Sequence, residues 1–174
     1  MSASATVTAD ARIVTRLAYL DDAPALAEIY TEGIEDRLAT LETEPSDAQE
    51  RLNWLKQRGA RHPVIVAERD GRVLGWASIN AFNPRAAYEH VADFSIYVAR
   101  ARRGQGIGAC LLEAITERAR MIGYHKLVLA MFPWNESGLA LYRRNGFRVV
   151  GTYREQGKLD GKWVDTLLME KILS

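Results

Sequence analysis

The sequence predicts a mixed α/β fold in which an antiparallel front half is followed by a strand-helix-strand crossover. Asp70-Gly71 and Asp160-Gly161 each separate two strand-like runs, which is a strong hairpin signal. Between them, a basic, Gly-rich segment at residues 100–108 joins a predicted strand to a predicted long helix. No internal repeat, linker or low-complexity segment divides the chain. We therefore expect residues 11–174 to form a single domain.

The composition is that of an ordinary soluble globular protein. Hydrophobic residues make up 48% of the 174 residues, and 23 basic residues balance 22 acidic ones to a net charge of +1. This balance gives no reason to expect nucleic-acid or anionic-membrane binding, and no apolar run reaches membrane-spanning length. The single cysteine, Cys110, cannot form an intramolecular disulfide, which favours a reducing compartment such as the cytoplasm. Residues 1–10 are small and polar and are expected to form a disordered tail.

The front half is predicted to contain a strand at residues 12–17 and then an amphipathic helix capped by Asp21. Residues 33–45 are polar and irregular, and the segment is long enough to be a functional loop. A second helix is expected over residues 46–59, because its first four residues form a Ser-x-x-Gln capping box.

The remaining elements are predicted from apolar periodicity and turn signals. They are strands at residues 64–68, 73–79, 91–99 and 127–132, helices at residues 109–122 and 136–145, and a final hairpin. The strand at residues 91–99 leads directly into the Gly-rich segment, so it lies at the centre of the predicted arrangement.

Alternation along this strand separates a polar face from an apolar one. One face carries Asp93, Ser95 and Tyr97, and the core face carries Phe94, Ile96 and Val98. A carboxylate on a strand that helices should cover needs a partner or a purpose. Asp93 is therefore a candidate functional residue, and a simple ion-paired or edge position is the alternative.

The Gly-rich segment is a candidate anion site. Three glycines within residues 104–108 let successive N–H groups converge on phosphate oxygens at the N-terminal end of the following helix. Formal positive charge is added there by Arg100, Arg102 and Arg103. The alternative is a tight turn with solvated arginines.

Two motifs then resemble a known family. Residues 103–108 (RGQGIG) match the [Gln/Arg]-x-x-Gly-x-[Gly/Ala] signature of the GNAT N-acetyltransferases, and residues 135–147 (NESGLALYRRNGF) resemble the family's second motif block. The resemblance covers residues 12–173. It implies the GNAT acyl-CoA N-acyltransferase fold, which is a mostly antiparallel sheet with one parallel, splayed strand pair and helices on both faces.

Further segments resemble the phosphinothricin and methionine sulfoximine N-acetyltransferases, and most closely the branch that acts on arsinothricin. They are residues 43–45 (TEP), 84–88 (PRAAY), 92–98 (ADFSIYV), 123–127 (GYHKL) and 157–163 (GKLDGKW). The resemblance implies acetyl transfer from acetyl-CoA to the α-amino group of a small amino acid, which confers resistance. It also implies a homodimer.

The resemblance assigns the cofactor contacts residue by residue. The implied acetyl-CoA-binding residues are Ile96, Val98, Arg103, Gly104, Gln105, Gly106, Ile107, Gly108, Ala109, Asn135 and Tyr142. The Gly-rich loop would bind the pyrophosphate, and the strand would pair with the pantetheine arm. The three histidines have no metal-ligand spacing, so no metal is expected.

The catalytic residues implied are Asp93 and Tyr142. Asp93 stands where the family usually has a glutamate base, so it would act directly, through a water, or with help from Glu89. Tyr142 would protonate the departing thiolate, although phosphinothricin enzymes often have histidine there. A core-packing aromatic is the alternative for Tyr142.

The substrate-binding residues implied are Arg85, Tyr88, Asp93 and Ser95, with Arg85 binding the substrate's carboxylate or phosphinate. Arg37 and Glu44 would complete the pocket or form surface salt bridges. Acetylation of a protein N-terminus or a polyamine is one rival function, and a non-catalytic acyl-CoA-binding module is another. A polyamine site should be lined with carboxylates, so the arginine at Arg85 argues against a polyamine.

Overall fold

The computed structural model describes residues 12–173, which form one seven-stranded sheet with helices on both faces. The strands are β1 (Val14–Leu17), β2 (Val64–Arg69), β3 (Arg72–Ala81), β4 (Val91–Val98), β5 (Lys126–Met131), β6 (Arg148–Leu159) and β7 (Lys162–Ile172). The α-helices are α1 (Ala23–Glu35), α2 (Ala48–Lys56), α3 (Ile107–Ile122) and α4 (Glu136–Arg144). The tail expected at residues 1–10 lies outside the described residues.

The strand order is β1-β2-β3-β4-β5-β7-β6, and β4 with β5 is the parallel pair. Every other neighbouring pair is antiparallel. Parallel pairing begins at Val91 with Lys126 and ends at Asp93 with Val128, beyond which the two strands separate. The predicted fold class is confirmed, including the splayed parallel pair.

Two apolar layers cover the two faces of the sheet. Helix α3 packs on one face, where Phe94 is buried among the side chains of the larger core. Helices α1 and α2 cover the other face, where Tyr97 and Trp76 are buried together. The alternation predicted for β4 is confirmed, but its polar face ends in a buried tyrosine because α1 covers that end of the strand.

Both predicted hairpins are confirmed. Asp70 and Gly71 have φ angles of 52° and 72°, and Asp160 and Gly161 have φ angles of 48° and 78°. Two successive positive φ angles make the turn whose twist matches that of the flanking strands.

The two predicted helix caps are each wrong by one residue. Asp22, not Asp21, precedes α1, because its carboxylate accepts a hydrogen bond from the Tyr19 N–H and pairs with Arg16. Asp47, not Ser46, caps α2, and it forms the reciprocal capping box with Glu50 at 2.8 and 3.2 Å. The helix ends at Lys56, three residues before the expected end.

The other two boundary corrections lie beside the Gly-rich segment. Helix α1 continues to Glu35, into the segment predicted to be irregular, so the loop begins at residue 36. Its last turn is held by ion pairs with Arg100 that a local sequence pattern does not reveal. Helix α3 begins at Ile107 rather than at residue 109, because Gly106 adopts the left-handed N-cap conformation.

Candidate active site

A cleft of about 350 Å³ lies where β4 and β5 separate. The N-terminal end of α3 and helix α4 form two of its sides, and Leu38 and Ala39 of the loop after α1 form a third. The structure brings most of the predicted cofactor residues together here, namely Ile96, Val98, Arg103, Gly104, Gly106, Ile107, Gly108, Ala109, Asn135 and Tyr142. Gln105 does not line the cleft, since its side chain is exposed and donates to the Ala101 carbonyl.

The three glycines of the Gly-rich loop line this cleft. Gly104 and Gly106 have φ angles of 75° and 84°, a backbone conformation that other residues adopt only with strain. In the part of the chain that the structure describes, no side chain caps the N-terminus of α3. The first-turn N–H groups of α3 are therefore available to an anion.

The arginines of this segment do not all add free charge. Arg100 donates to both carboxylate oxygens of Asp36 at 2.9 to 3.1 Å, and Arg103 donates to Asp36 at 2.6 Å. The Arg103 guanidinium also donates to the Val98 carbonyl at 3.3 Å. Two of the three arginines predicted to add formal charge here, Arg100 and Arg103, therefore do so as ion-pair partners of Asp36, and their side chains brace the loop against the end of α1.

The exposed edge of β4 lines the cleft with main-chain groups. The Ala99 N–H donates to the Leu74 carbonyl in the β3–β4 pairing. Main-chain groups alternate in direction along a strand, so the N–H and C=O groups of the residues one and three positions before Ala99 point away from β3. Ile96 and Val98 are those residues, and beyond Asp93 β5 no longer pairs with this edge. The cleft can therefore accept an extended ligand as an added strand.

Asp93 is the last residue of β4 that pairs with β5, and it lies opposite Asn80 of β3. Burial raises the pKa of Asp93 to about 6 against the opposing effect of a hydrogen bond from Asn80. Asn80 also lies 3.5 Å from the Ser95 hydroxyl. The structure therefore gathers Asp93 and Ser95 on one polar face, as predicted, with Asn80 as a further member.

Tyr142 lines the cleft and packs in the core, so both predicted interpretations describe its position. Its ring lies edge-on to Phe94 at 5.9 Å and to Phe147 at 5.7 Å. Burial, with smaller contributions from Tyr97 and Asp93, raises the pKa of Tyr142 above its usual range. Its phenol therefore stays protonated at neutral pH and can donate a proton or a hydrogen bond.

The loop at residues 36–47 is tied across one side of the cleft. Arg37 pairs with Asp160 at the tip of the β6–β7 hairpin at 2.9 Å, and its carbonyl accepts from Trp134 at 2.9 Å. Asn135 caps α4 by accepting from Gly138 and donates to the Leu38 carbonyl at 3.2 Å. These contacts fix the loop's position over the cleft.

Arg85 and Tyr88 lie away from the cleft. Both belong to an exposed turn between β3 and β4, where the Tyr88 ring packs edge-on against Phe82 at 5.6 Å. Glu44 is exposed in the loop at residues 36–47. The structure does not bring Arg85, Tyr88 or Glu44 into the cleft, and Asp93 and Ser95 do not line it either.

Sequence reasoning missed a group of residues beneath α2. Arg51 is buried among aromatic side chains of α1, α2 and β3, and Tyr97 beside them lines the cleft. The sequence did place Tyr97 on the face of Asp93. No local signal could have joined Arg51 to that face, because the contact depends on how α2 packs.

Within residues 12–173, no helix is long and apolar enough to cross a membrane. Nor do any three potential metal ligands cluster among them.

Comparison with known proteins agrees with this architecture. Residues 25–147 match the acetyltransferase (GNAT) family. The L-methionine sulfoximine/L-methionine sulfone acetyltransferase of Pseudomonas aeruginosa is 33% identical over 151 residues, which cover 86% of this chain and 88% of that protein.

Two solved structures are similar over nearly their whole length. A phosphinothricin acetyltransferase from Sinorhizobium meliloti in complex with AcCoA is 32% identical, with a TM-score of 0.86 over 93% of this chain and 89% of that one. The ribosomal-protein-alanine N-acetyltransferase from Brucella melitensis is 39% identical, with a TM-score of 0.88 over 91% of this chain and 99% of that one. Since the family match spans more than half of the sequence and the splayed sheet and Gly-rich loop accompany it, the chain belongs to the GNAT family of acetyltransferases.

Proposed function

We propose that this enzyme transfers the acetyl group of acetyl-CoA to the α-amino group of a small amino-acid toxin or analogue, conferring resistance. The placement of Asp93 carries the proposal, because this half-buried carboxylate lies where β4 and β5 separate. The candidate substrates are phosphinothricin, methionine sulfoximine, methionine sulfone and arsinothricin. Similarity to the Pseudomonas and Sinorhizobium proteins supports this substrate class.

The residues of the cleft fit acetyl-CoA. The uncapped first turn of α3 and the loop at Gly104 and Gly106 suit a pyrophosphate, and the free edge of β4 suits an extended amide-containing arm. When bound, acetyl-CoA supplies the acetyl thioester. A main-chain N–H of Ile96 or Val98 would donate to the thioester carbonyl oxygen and stabilise the negative charge that develops there.

Asp93 would act as the base for the substrate. An α-ammonium group is mostly protonated at neutral pH and must lose a proton before the nitrogen can attack. A carboxylate with a pKa of about 6 is ionised at pH 7 yet remains a useful proton acceptor. The amine itself is the nucleophile, so direct attack in a ternary complex needs no serine or cysteine.

Tyr142 would donate a proton to the departing sulfur. Tyr142 is among the residues that line the cleft, and its phenol stays protonated because burial raises its pKa. The α-ammonium gives its first proton to Asp93, and the nitrogen loses a second proton to solvent as the C–N bond forms and the C–S bond breaks. Tyr142 protonates the departing sulfur and is reprotonated by solvent, and Asp93 passes its proton to solvent, so the reaction releases one net proton.

Acetylation of a protein N-terminus is the second candidate, and the 39% identity to the Brucella protein favours it. The contacts that tie Arg37 to Asp160 of the β6–β7 hairpin and to Trp134 after β5 favour a small substrate over a peptide. Two arginines on the Asp93 face, the buried Arg51 and the partly buried Arg58, argue against a polyamine. Membership of an acetyltransferase family favours an enzyme over a non-catalytic acyl-CoA-binding module.

The test is CoA release from acetyl-CoA with each of the four amino acids, an alanine-initiated ribosomal peptide and spermidine. Release with at least one of the four amino acids, and not with the peptide, is the expected result. Release with the peptide alone would establish the second candidate. Acetyl-CoA binding without release in any reaction would overturn the proposal.

The resemblance also leads us to propose a homodimer that acts in the cytoplasm, with residues 11–174 as its one domain. Light scattering on the purified chain measures the dimer directly, and a monomeric mass at the assay concentration would contradict it.

A further inference from the structure

Arg51 is a buried cation without an acidic partner. Its side chain belongs to a residue that is only 8% exposed, and its buried Nε has no hydrogen-bond partner. Within residues 12–173, no carboxylate lies at salt-bridge distance from it. Its guanidinium lies over the rings of Tyr30 at 4.3 Å, Trp54 at 4.8 Å and Trp76 at 5.4 Å. Ring faces offset part of the cost of burying this charge but do not neutralise it.

Arg58, which is only partly buried, provides a contrast. It lies over the same Trp54 ring at 4.5 Å, but it donates to the carbonyls of His62 and Ile79 and to the Asn80 side chain. Its hydrogen-bonding capacity is used to join α2 to β3. Packing therefore explains Arg58, whereas it leaves the charge of Arg51 unmatched.

The aromatic cage around Arg51, formed by Tyr30, Trp54 and Trp76, lies on the face of the sheet that carries Asp93. Trp76 pairs with Tyr97 across β3 and β4, so the two rings share that face. Tyr97 packs against both Trp76 and Tyr30 and also lines the cleft. One aromatic layer thus connects the cage to the cleft.

We propose that Arg51 binds the acidic side-chain group of the amino-acid substrate, so that the enzyme prefers an anionic side chain to a neutral one. This inference rests on the proposed function, and it assigns a binding partner to the distal end of the substrate. The α-amine lies at Asp93, and the side-chain anion reaches the cage. Asp93 and Tyr97 are about 13 Å apart along β4 at 3.3 Å per residue. Tyr97 packs against two rings of the cage, so a substrate whose α-amine lies at Asp93 would extend its side chain along this face of β4 to reach Arg51.

The chemistry of the cage favours a phosphinate over a sulfone. A guanidinium offers a planar set of donors that binds two oxygens of one anion, and the surrounding rings exclude water and strengthen the attraction. A neutral sulfone offers acceptors but no charge to pair with the cation. Phosphinothricin should therefore gain more from Arg51 than methionine sulfone does.

The experiment compares kcat/KM for phosphinothricin and for methionine sulfone in the wild type, Arg51→Met and Arg51→Lys. Arg120→Met, at an exposed position on α3, is the matched control for loss of one arginine. Arg51→Met should lower kcat/KM for phosphinothricin roughly 10- to 150-fold, which corresponds to loss of a hydrogen bond to a charged group. The value for methionine sulfone should stay within about threefold, and the KM for acetyl-CoA should not change.

Arg51→Lys keeps a cation over the rings but loses the planar donor set. It should show the same selective loss, roughly tenfold, and it decides the question if Arg51→Met does not fold. Equal losses for both substrates, or no change in either, would overturn the assignment of Arg51 while leaving the proposed function intact. CoA release by the wild type with neither substrate nor any other amino acid would instead overturn the proposed function, and this inference with it.

Discussion

Asp93 lies directly opposite Asn80 in the β3–β4 pairing, and it is also the last residue of β4 that pairs with β5. The same residue therefore has a hydrogen-bond partner on one side and the opening of the sheet on the other. Burial raises its pKa to about 6, and the Asn80 hydrogen bond keeps the rise from being larger. We therefore expect both the activity and the stability of the protein to depend on the titration of this one carboxyl group.

Asp93→Asn should remove the base. In the wild type, kcat should fall as pH drops below about 6, because the carboxylate becomes protonated there. The substitution should lower kcat roughly 10²- to 10⁴-fold and abolish this acidic limb. CoA release measured from pH 5 to pH 9 checks both effects. An unchanged acidic limb would show that another residue is the base, and Glu89 is the next candidate.

The same substitution should stabilise the folded protein at neutral pH. Because the pKa of Asp93 is raised from 3.8 to about 6 on folding, the folded state binds more protons between these values, and stability falls as pH rises through that window. The cost above pH 6 is about 2–3 kcal/mol. Asp93→Asn should recover part of this free energy of unfolding, and urea unfolding should show the gain at pH 7 but not at pH 4. A variant less stable than the wild type at pH 7 would contradict the predicted increase in stability.

Much of the fold could be predicted because its signals are local. The two Asp-Gly turns and the alternation in β4 reflect φ angles and side-chain directions that neighbouring residues determine. The cap of α2 could not be chosen in the same way, because Ser46 and Asp47 each precede a suitable partner. Only the reciprocal hydrogen bonds between Asp47 and Glu50 decide between them.

In the candidate site, too, local sequence patterns indicate some residues, whereas only the packing of distant segments brings the others together. The Gly-rich loop and Asp93 follow from local pattern and from family resemblance, whereas the ion pair between Arg37 and Asp160 joins residues 123 positions apart in sequence. The cage around Arg51 likewise depends on the packing of α2 on the sheet. Contacts between segments that are far apart in sequence produce no periodic pattern of residue types, so the sequence could not reveal them.

Tyr142→Phe should slow catalysis without disturbing the core. The ring contacts with Phe94 and Phe147 are retained, so the free energy of unfolding should change by less than about 1 kcal/mol. Loss of the proton donor should lower kcat roughly 100-fold. Tyr124→Phe is the control, because it removes a hydroxyl that donates to the Arg61 carbonyl outside the cleft. Similar kcat values for the two variants would show that Tyr142 contributes packing and does not act as the proton donor.

Arg85→Ala tests an exposed residue that the structure places outside the cleft. If its guanidinium binds the substrate's carboxylate, the KM for the amino acid should rise roughly 10-fold or more, with the KM for acetyl-CoA unchanged. Arg72→Ala, at the exposed start of β3, is the control for surface charge. An amino-acid KM equal to that of the control would remove Arg85 from the site.

Gly106→Ala tests the anion-binding loop, and Gly123→Ala provides a matched control at the other end of α3. Both glycines have left-handed φ angles, 84° and 96°, and a Cβ on either would meet no atom within 4 Å. Each substitution should therefore cost about 1–2 kcal/mol of stability through backbone strain alone. Gly106→Ala should also reorient the N–H groups that face the cleft and raise the KM for acetyl-CoA roughly 2- to 10-fold, whereas Gly123→Ala should not. Thermal unfolding and acetyl-CoA titrations separate the two effects, and equal KM values in both variants would show that the loop amides do not bind the cofactor.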